Sequence, residues 1–111
     1  AGDRLQSRVG VVDEAVAAAS TGGVEGVFIS VDIDVVDPGF APGTGTPEPG
    51  GLTSRELLDT VRRLARELRV LGADVVEVSP PYDSRSEQTA YLANRVVLEI
   101  LNGMAERKLG R

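Results

Sequence analysis

Apolar and polar positions recur along this chain with two different periods, and the switches between them mark out helices and strands. Residues 1–10 (AGDRLQSRVG) hold no clean period and read as a lead-in. From Val11 to Ser20 the Ala-rich run VVDEAVAAAS places Val12, Val16 and Ala19 at helical spacing and ends in Thr21-Gly22-Gly23, a usual stop. Val27–Ile33 (VFISVDI) is β-branched, aromatic and nearly continuous in its apolar character, as in a strand buried on both faces. Residues 34–51 (DVVDPGFAPGTGTPEPGG) hold four prolines and five glycines and predict a long, stiff loop.

Thr53 with Glu56 three residues on has the spacing of a capping box. Leu57, Leu58, Val61, Leu64, Ala65 and Leu68 then repeat on one helical face until Gly72 predicts a stop near Leu71. The other face carries Arg55, Asp59, Arg62, Arg63, Arg66 and Glu67, the pattern of a solvated face with ion-pair spacing. Ala73–Val78 predicts a second buried strand, closed by Ser79-Pro80-Pro81. Ser86 is placed to cap a last helix whose stripe is Leu92, Val96, Val97, Ile100, Leu101 and Met104. The order helix, strand, loop, helix, strand, loop, helix predicts an α/β unit with parallel neighbouring strands.

Composition narrows the function classes. At 111 residues, 41% hydrophobic and 26% charged, residues 1–111 read as one small α/β unit. With two Tyr, two Phe and no Trp, its core must be aliphatic. A net charge of −5 argues against nucleic acid, which needs clustered cations, and suits a cationic ligand or a metal ion. No apolar run approaches the ~20 residues that span a bilayer, so no membrane partner is expected. The absence of cysteine excludes thiolate chemistry and fits a cytoplasmic setting. The absence of histidine removes the commonest general base and metal ligand, and Ala1 in place of an initiator Met leads us to expect that an N-terminal part lies elsewhere.

The remaining chemistry rests on acids at strand ends, where ligands of open parallel sheets bind. Asp32 and Asp34 are two apart, so an extended backbone would turn both carboxylates to one side, where they could hold a hard divalent cation. The same residues also suit turn caps, as Asp37-Pro38 does. Glu77 lies in an apolar strand, where an ionised carboxylate needs a partner, unless the strand end is exposed. The loop around Pro42-Gly43-Thr44-Gly45-Thr46-Pro47 lacks the Gly-Lys-Ser/Thr ending of a P-loop and does not fit the dinucleotide fingerprint. Its prolines make it a rigid wall beside the strand end.

Two long stretches carry a resemblance. Ser30–Pro38 (SVDIDVVDP), continuing through Pro42–Gly51 (PGTGTPEPGG), closely resembles the C-terminal signature of the arginase, agmatinase and formiminoglutamase superfamily, the ureohydrolases. Asp74–Asp83 (DVVEVSPPYD) resembles the family's second signature in the form typical of agmatinases. The resemblance implies the C-terminal part of an arginase-like three-layer fold, with a parallel sheet flanked by helices. It implies a binuclear manganese centre in which Asp32 bridges two Mn2+ ions and Asp34 binds one, while Thr46 lines the guanidinium pocket and Glu77 pairs with the guanidinium. It further implies hydrolysis of a guanidino compound, preferably agmatine, to urea and an amine, and a homo-oligomer at full length. Family members supply the other metal ligands from histidine-containing upstream segments, so the chain alone is expected to be inactive. The rival reading is a non-catalytic module of the same fold, serving assembly or weak divalent-ion binding.

Overall fold

The computed structural model describes residues 2–110, with side chains from residue 10 onward. Helices α1 (Gly2–Ala19), α2 (Ser54–Glu67) and α3 (Gln88–Lys108) alternate with strands β1 (Val27–Asp32) and β2 (Val70–Val76). A single 3-10 turn lies beyond each strand, at Ile33–Val35 and Pro80–Tyr82. The strands pair in parallel, from Val27 opposite Val70 to Asp32 opposite Val76, with one irregularity at Val27/Phe28. A parallel pair needs a crossover, which α2 supplies, and both carboxyl ends therefore lie at one end of the sheet.

The core is aliphatic, as the composition requires. Ile29 and Val31 of β1, with Ile33 and Val36 just beyond it, pack with Leu57, Leu58, Val61 and Ala65 of α2 and Leu92, Val96 and Ile100 of α3. Thr53 caps α2 in a complete capping box, its hydroxyl taking the Glu56 N–H while the Glu56 carboxylate takes the Thr53 N–H. α2 and α3 meet where Gly103 faces Ala65, close enough that a Cβ at 103 would lie 2.6 Å from the Ala65 Cβ.

Several local expectations give way. α1 starts at Gly2, not Val11, because Arg, Leu and Gln sustain a helix by propensity without an apolar period. α2 stops at Glu67, with Leu68 already extended at φ −114° and ψ 152°, and β2 runs 70–76 instead of 73–78. Gly72 is thus no helix stop but a strand residue, where an added Cβ would lie only 3.1 Å from the Phe28 ring. The charged face of α2 carries the expected i,i+4 pairs, Arg55–Asp59 at 3.3 Å and Arg63–Glu67 at 2.9 Å, but it is not only solvated. Arg62 reaches the buried Glu99 at 2.7 Å and also bonds Glu106, Arg95 reaches Glu99 at 3.0 Å, and Arg63 pairs with Asp13 of α1. The hydrogen bond from Arg62, opposed by burial and aided by Arg95, holds the Glu99 carboxyl below its ordinary range.

The strands are covered on one face among the described residues. Phe28 and Leu71 are 64% and 66% exposed, and Val97 and Leu101 of the expected α3 stripe are exposed as well. Ser86 does not cap α3. The residue before the helix is Glu87 at φ 60°, and the free amides of the first turn are taken by Ser84 Oγ and by Asp83.

Candidate active site

β1 delivers Asp32 at its last position, where the strand turns directly into the 3-10 turn. The backbone at Ile33–Val35 is therefore not extended, and Asp32 and Asp34 are related by a tight turn instead of by strand alternation. Asp32 Oδ1 accepts the Asp34 N–H at 3.0 Å. Between them Ile33 is fully buried, so the core itself anchors this turn and leaves both acids half-buried at the surface. The expected turn-cap role of Asp32 is thus met, one of its carboxylate oxygens capping the turn, whereas the extended backbone expected to turn both acids to one side gives way to that turn; the other Asp32 oxygen accepts no hydrogen bond among the described residues.

The long loop closes on this turn. Asp37 Oδ1 and Oδ2 accept the N–H groups of Gly39 and Gly50, both at 2.9 Å, and the Asp37 and Leu52 amides bond Leu52 and Val35 carbonyls at 2.8 Å. Gly51 is needed because a Cβ there would come within 2.6 Å of the Val35 carbonyl oxygen. This closure brings Thr46 to Asp34, whose Oδ2 accepts the Thr46 hydroxyl at 2.9 Å.

Glu77 follows the last residue of β2. Because Val76 pairs with Asp32, Glu77 stands at the same sheet end as the two aspartates. It is not inside a strand but exposed, and its φ of 68° is a left-handed backbone that non-glycine residues seldom adopt. Such an outlier persists only where its surroundings impose it. Here Val78 packs against the core and the Ser79 N–H donates to the Gly43 carbonyl at 2.7 Å, fixing the chain just after the turn. Asp32, Asp34 and Thr46 are thus joined by hydrogen bonds, whereas Glu77 shares their sheet end without a bond to them. Among the described residues no group of three or more acidic side chains is close enough to hold an ion by itself.

The donor set fits part of a hard-cation site. Asp32 and Asp34 present oxygen ligands, and one oxygen of each, Asp32 Oδ2 and Asp34 Oδ1, is left without a hydrogen bond among the described residues. Two carboxylates are too few for a tight manganese site.

Sequence reasoning missed a buried junction behind the site. The Gly43 N–H donates to Thr89 Oγ1 at 2.8 Å, and the Asp83 carboxylate accepts the amides of Ser84 at 2.8 Å, Thr89 at 3.0 Å and Ala90 at 3.1 Å. Burial alone would raise the Asp83 carboxyl; hydrogen bonds from the Thr89 side chain and from these three amides outweigh it and hold the group below the ordinary carboxylate range. The Gly-rich Pro42-Gly43-Thr44 step and an acid three residues beyond Pro80 were the available signals.

The model of the family described as "Arginase family" matches residues 3–103. The chain belongs to the arginase family. Its relatives within this family include the agmatinase of Bacillus subtilis (strain 168), 53% identical over 81 residues that make up 72% of this chain and 28% of that protein. The proclavaminate amidinohydrolase of Streptomyces clavuligerus is 56% identical over 75 residues, 68% of this chain and 23% of that one. Among solved structures, the formimidoylglutamase of Bacillus subtilis superposes with a TM-score of 0.82 at 35% identity, over 93% of this chain and 32% of that chain. The arginase-family chain thus covers only 23% to 32% of the length of these three relatives. The α/β architecture with a parallel sheet is the one the family resemblance implied.

Proposed function

We propose that this arginase-family chain supplies the strand-end half of the active site of an agmatinase-like ureohydrolase, which hydrolyses a guanidino compound, agmatine in the first instance, to urea and an amine. The observation that carries the reading is the shared sheet end: two aspartates tied by a core-anchored turn beside a third acid, Glu77, held in a left-handed backbone. Asp32 and Asp34 would hold manganese through the oxygens that no hydrogen bond occupies. Two bound ions supply Lewis acidity that makes water a nucleophile near neutral pH. Thr46, already donating to Asp34, holds that carboxylate in one orientation and lines the pocket. Glu77 offers a planar carboxylate to a planar cation, a pairing that both binds and orients the guanidinium. The net charge of −5 favours approach of such a cation.

The remaining ligands come from outside this chain, which holds no histidine. The same reading carries a cytoplasmic setting and a homo-oligomeric assembly of the complete enzyme; no helix among the described residues is long and apolar enough to cross a membrane. The test is an exchange of parts. The 81-residue stretch matched in Bacillus subtilis agmatinase is replaced by the corresponding stretch of this chain, and urea release from agmatine with added Mn2+ is measured. Activity in the joined enzyme, with none from the chain alone, is the expected result. A soluble joined enzyme that binds manganese and leaves every guanidino compound intact would refute the reading.

A further inference from the structure

The first turn of α3 touches both loops of the candidate site. Gly43 stands three residues before Thr46 and bonds Thr89 through its N–H; its carbonyl takes the N–H of Ser79, two residues after Glu77. Thr89 is wholly buried, and Asp83, whose carboxylate collects the Thr89 and Ala90 amides, closes the junction from the Glu77 side. There is no slack: a Cβ at Gly43 would come within 2.9 Å of the Asp83 Cβ and Cγ and of Thr89 Oγ1. Gln88 adds a second tie, its side-chain amide donating to the Gly39 and Phe40 carbonyls at 3.1 and 3.0 Å. Behind these bonds α3 is anchored in the core through Leu92, Val96 and Ile100.

We infer that Thr89 and Asp83 are positioning residues, a latch that fixes the separation between Thr46 and Glu77 while touching neither substrate nor metal. The inference rests on the reading of Asp32, Asp34, Thr46 and Glu77 given above. Its physical basis is that a reacting group must be held to a fraction of an ångström, which loops achieve only when tied to a rigid element. The Thr89 hydroxyl suits the role because one atom accepts the Gly43 amide while its side chain also supports the Asp83 carboxylate. A methyl in its place would leave the Gly43 N–H buried and unpaired.

The test uses the 111-residue chain in NMR, comparing wild type with Thr89→Val and Thr89→Ser. Amide hydrogen exchange is followed at Gly43 and Ser79, and paramagnetic broadening by added Mn2+ at Asp34 and Glu77. The latch predicts that Thr89→Val speeds exchange at both amides about tenfold. It also predicts that the broadening of Glu77 changes relative to that of Asp34, and that Thr89→Ser restores both readouts. A helix cap alone would move neither the Ser79 amide nor the relative broadening. Should Thr89→Val fail to fold, Asp83→Asn keeps the hydroxyl in place and is expected to loosen the same two amides by a smaller factor. Equal exchange and equal relative broadening in wild type and variants would overturn the latch, as would an unprotected Gly43 amide in wild type. Absence of broadening at Asp34 in every variant would count against the metal reading, and the exchange rates would then decide the latch by themselves.

Discussion

Ile33 lies between the two aspartates and is fully buried, so one side chain serves the core and the site together. Truncating it to alanine removes three carbons, worth about 2.4 kcal/mol at ~0.8 kcal/mol each in lost transfer free energy. The cavity left behind adds to this, because neighbours from β1, α2 and α3 are fixed by their own contacts; we expect a total of about 3–4 kcal/mol, within the range for buried Ile→Ala changes. Ile33→Val, which removes one carbon, should cost about 1 kcal/mol. A chain of this length has a total stability of roughly 5–15 kcal/mol, so the larger loss is a substantial fraction of the whole. Urea denaturation followed by circular dichroism reads it as a lower midpoint at unchanged slope. Val11→Ala, at a position 62% exposed, is the control and should change stability by less than about 0.5 kcal/mol. A cost below about 1 kcal/mol for Ile33→Ala would refute the claim that the core anchors the Asp32–Asp34 turn.

Two further outcomes follow from packing and charge. Gly103→Ala should destabilise by about 1–2 kcal/mol despite alanine's gain of ~1 kcal/mol in helix propensity, because its Cβ would meet Ala65 at 2.6 Å and the Arg62 carbonyl at 2.7 Å; a thermal melt showing stabilisation would contradict this. The pH dependence has a definite sign. Glu99 and Asp83 have depressed folded-state pKa values, so the stability they contribute is fully present above the ordinary carboxylate values of about 4 and is lost as pH falls through the folded ones. Glu99→Gln and Asp83→Asn should each flatten the acid limb of midpoint against pH, and an unchanged limb would refute the assignment.

Much of this was legible in the residues themselves. The capping box at Thr53, the apolar stripe of α2 and the parallel pairing of two β-branched runs all follow from local patterns that tertiary packing leaves intact. What was not legible depended on contacts distant in sequence. Gly72 looks like a helix stop until Phe28, 44 positions earlier, is known to lie across it. Ser86 looks like a cap because Asp83 bonds backbone six and seven residues ahead, through a loop geometry no spacing rule describes. The strands read as buried on both faces because their apolar runs are continuous, yet Phe28 and Leu71 stand exposed among the described residues. That Asp32, Asp34 and Glu77 stand at one sheet end was legible from type and spacing, whereas their local geometry was not. The turn at Ile33–Val35 replaces strand alternation, and the left-handed backbone of Glu77 has no sequence signature, since any residue that permits such a φ cheaply would be glycine or asparagine.

The division of labour between the strand ends is tested most directly in the joined enzyme, by measuring manganese content and urea release together for Asp34→Asn and Glu77→Gln. Asp34→Asn is expected to lose metal and activity in parallel. Glu77→Gln should keep its manganese while kcat/KM for agmatine falls by a factor on the order of 100 or more, the loss expected when a charge-assisted pair to a bound cation is broken. Full activity in Glu77→Gln, or loss of metal from it equal to that in Asp34→Asn, would contradict the assignment of Asp34 to the metal and Glu77 to the guanidinium.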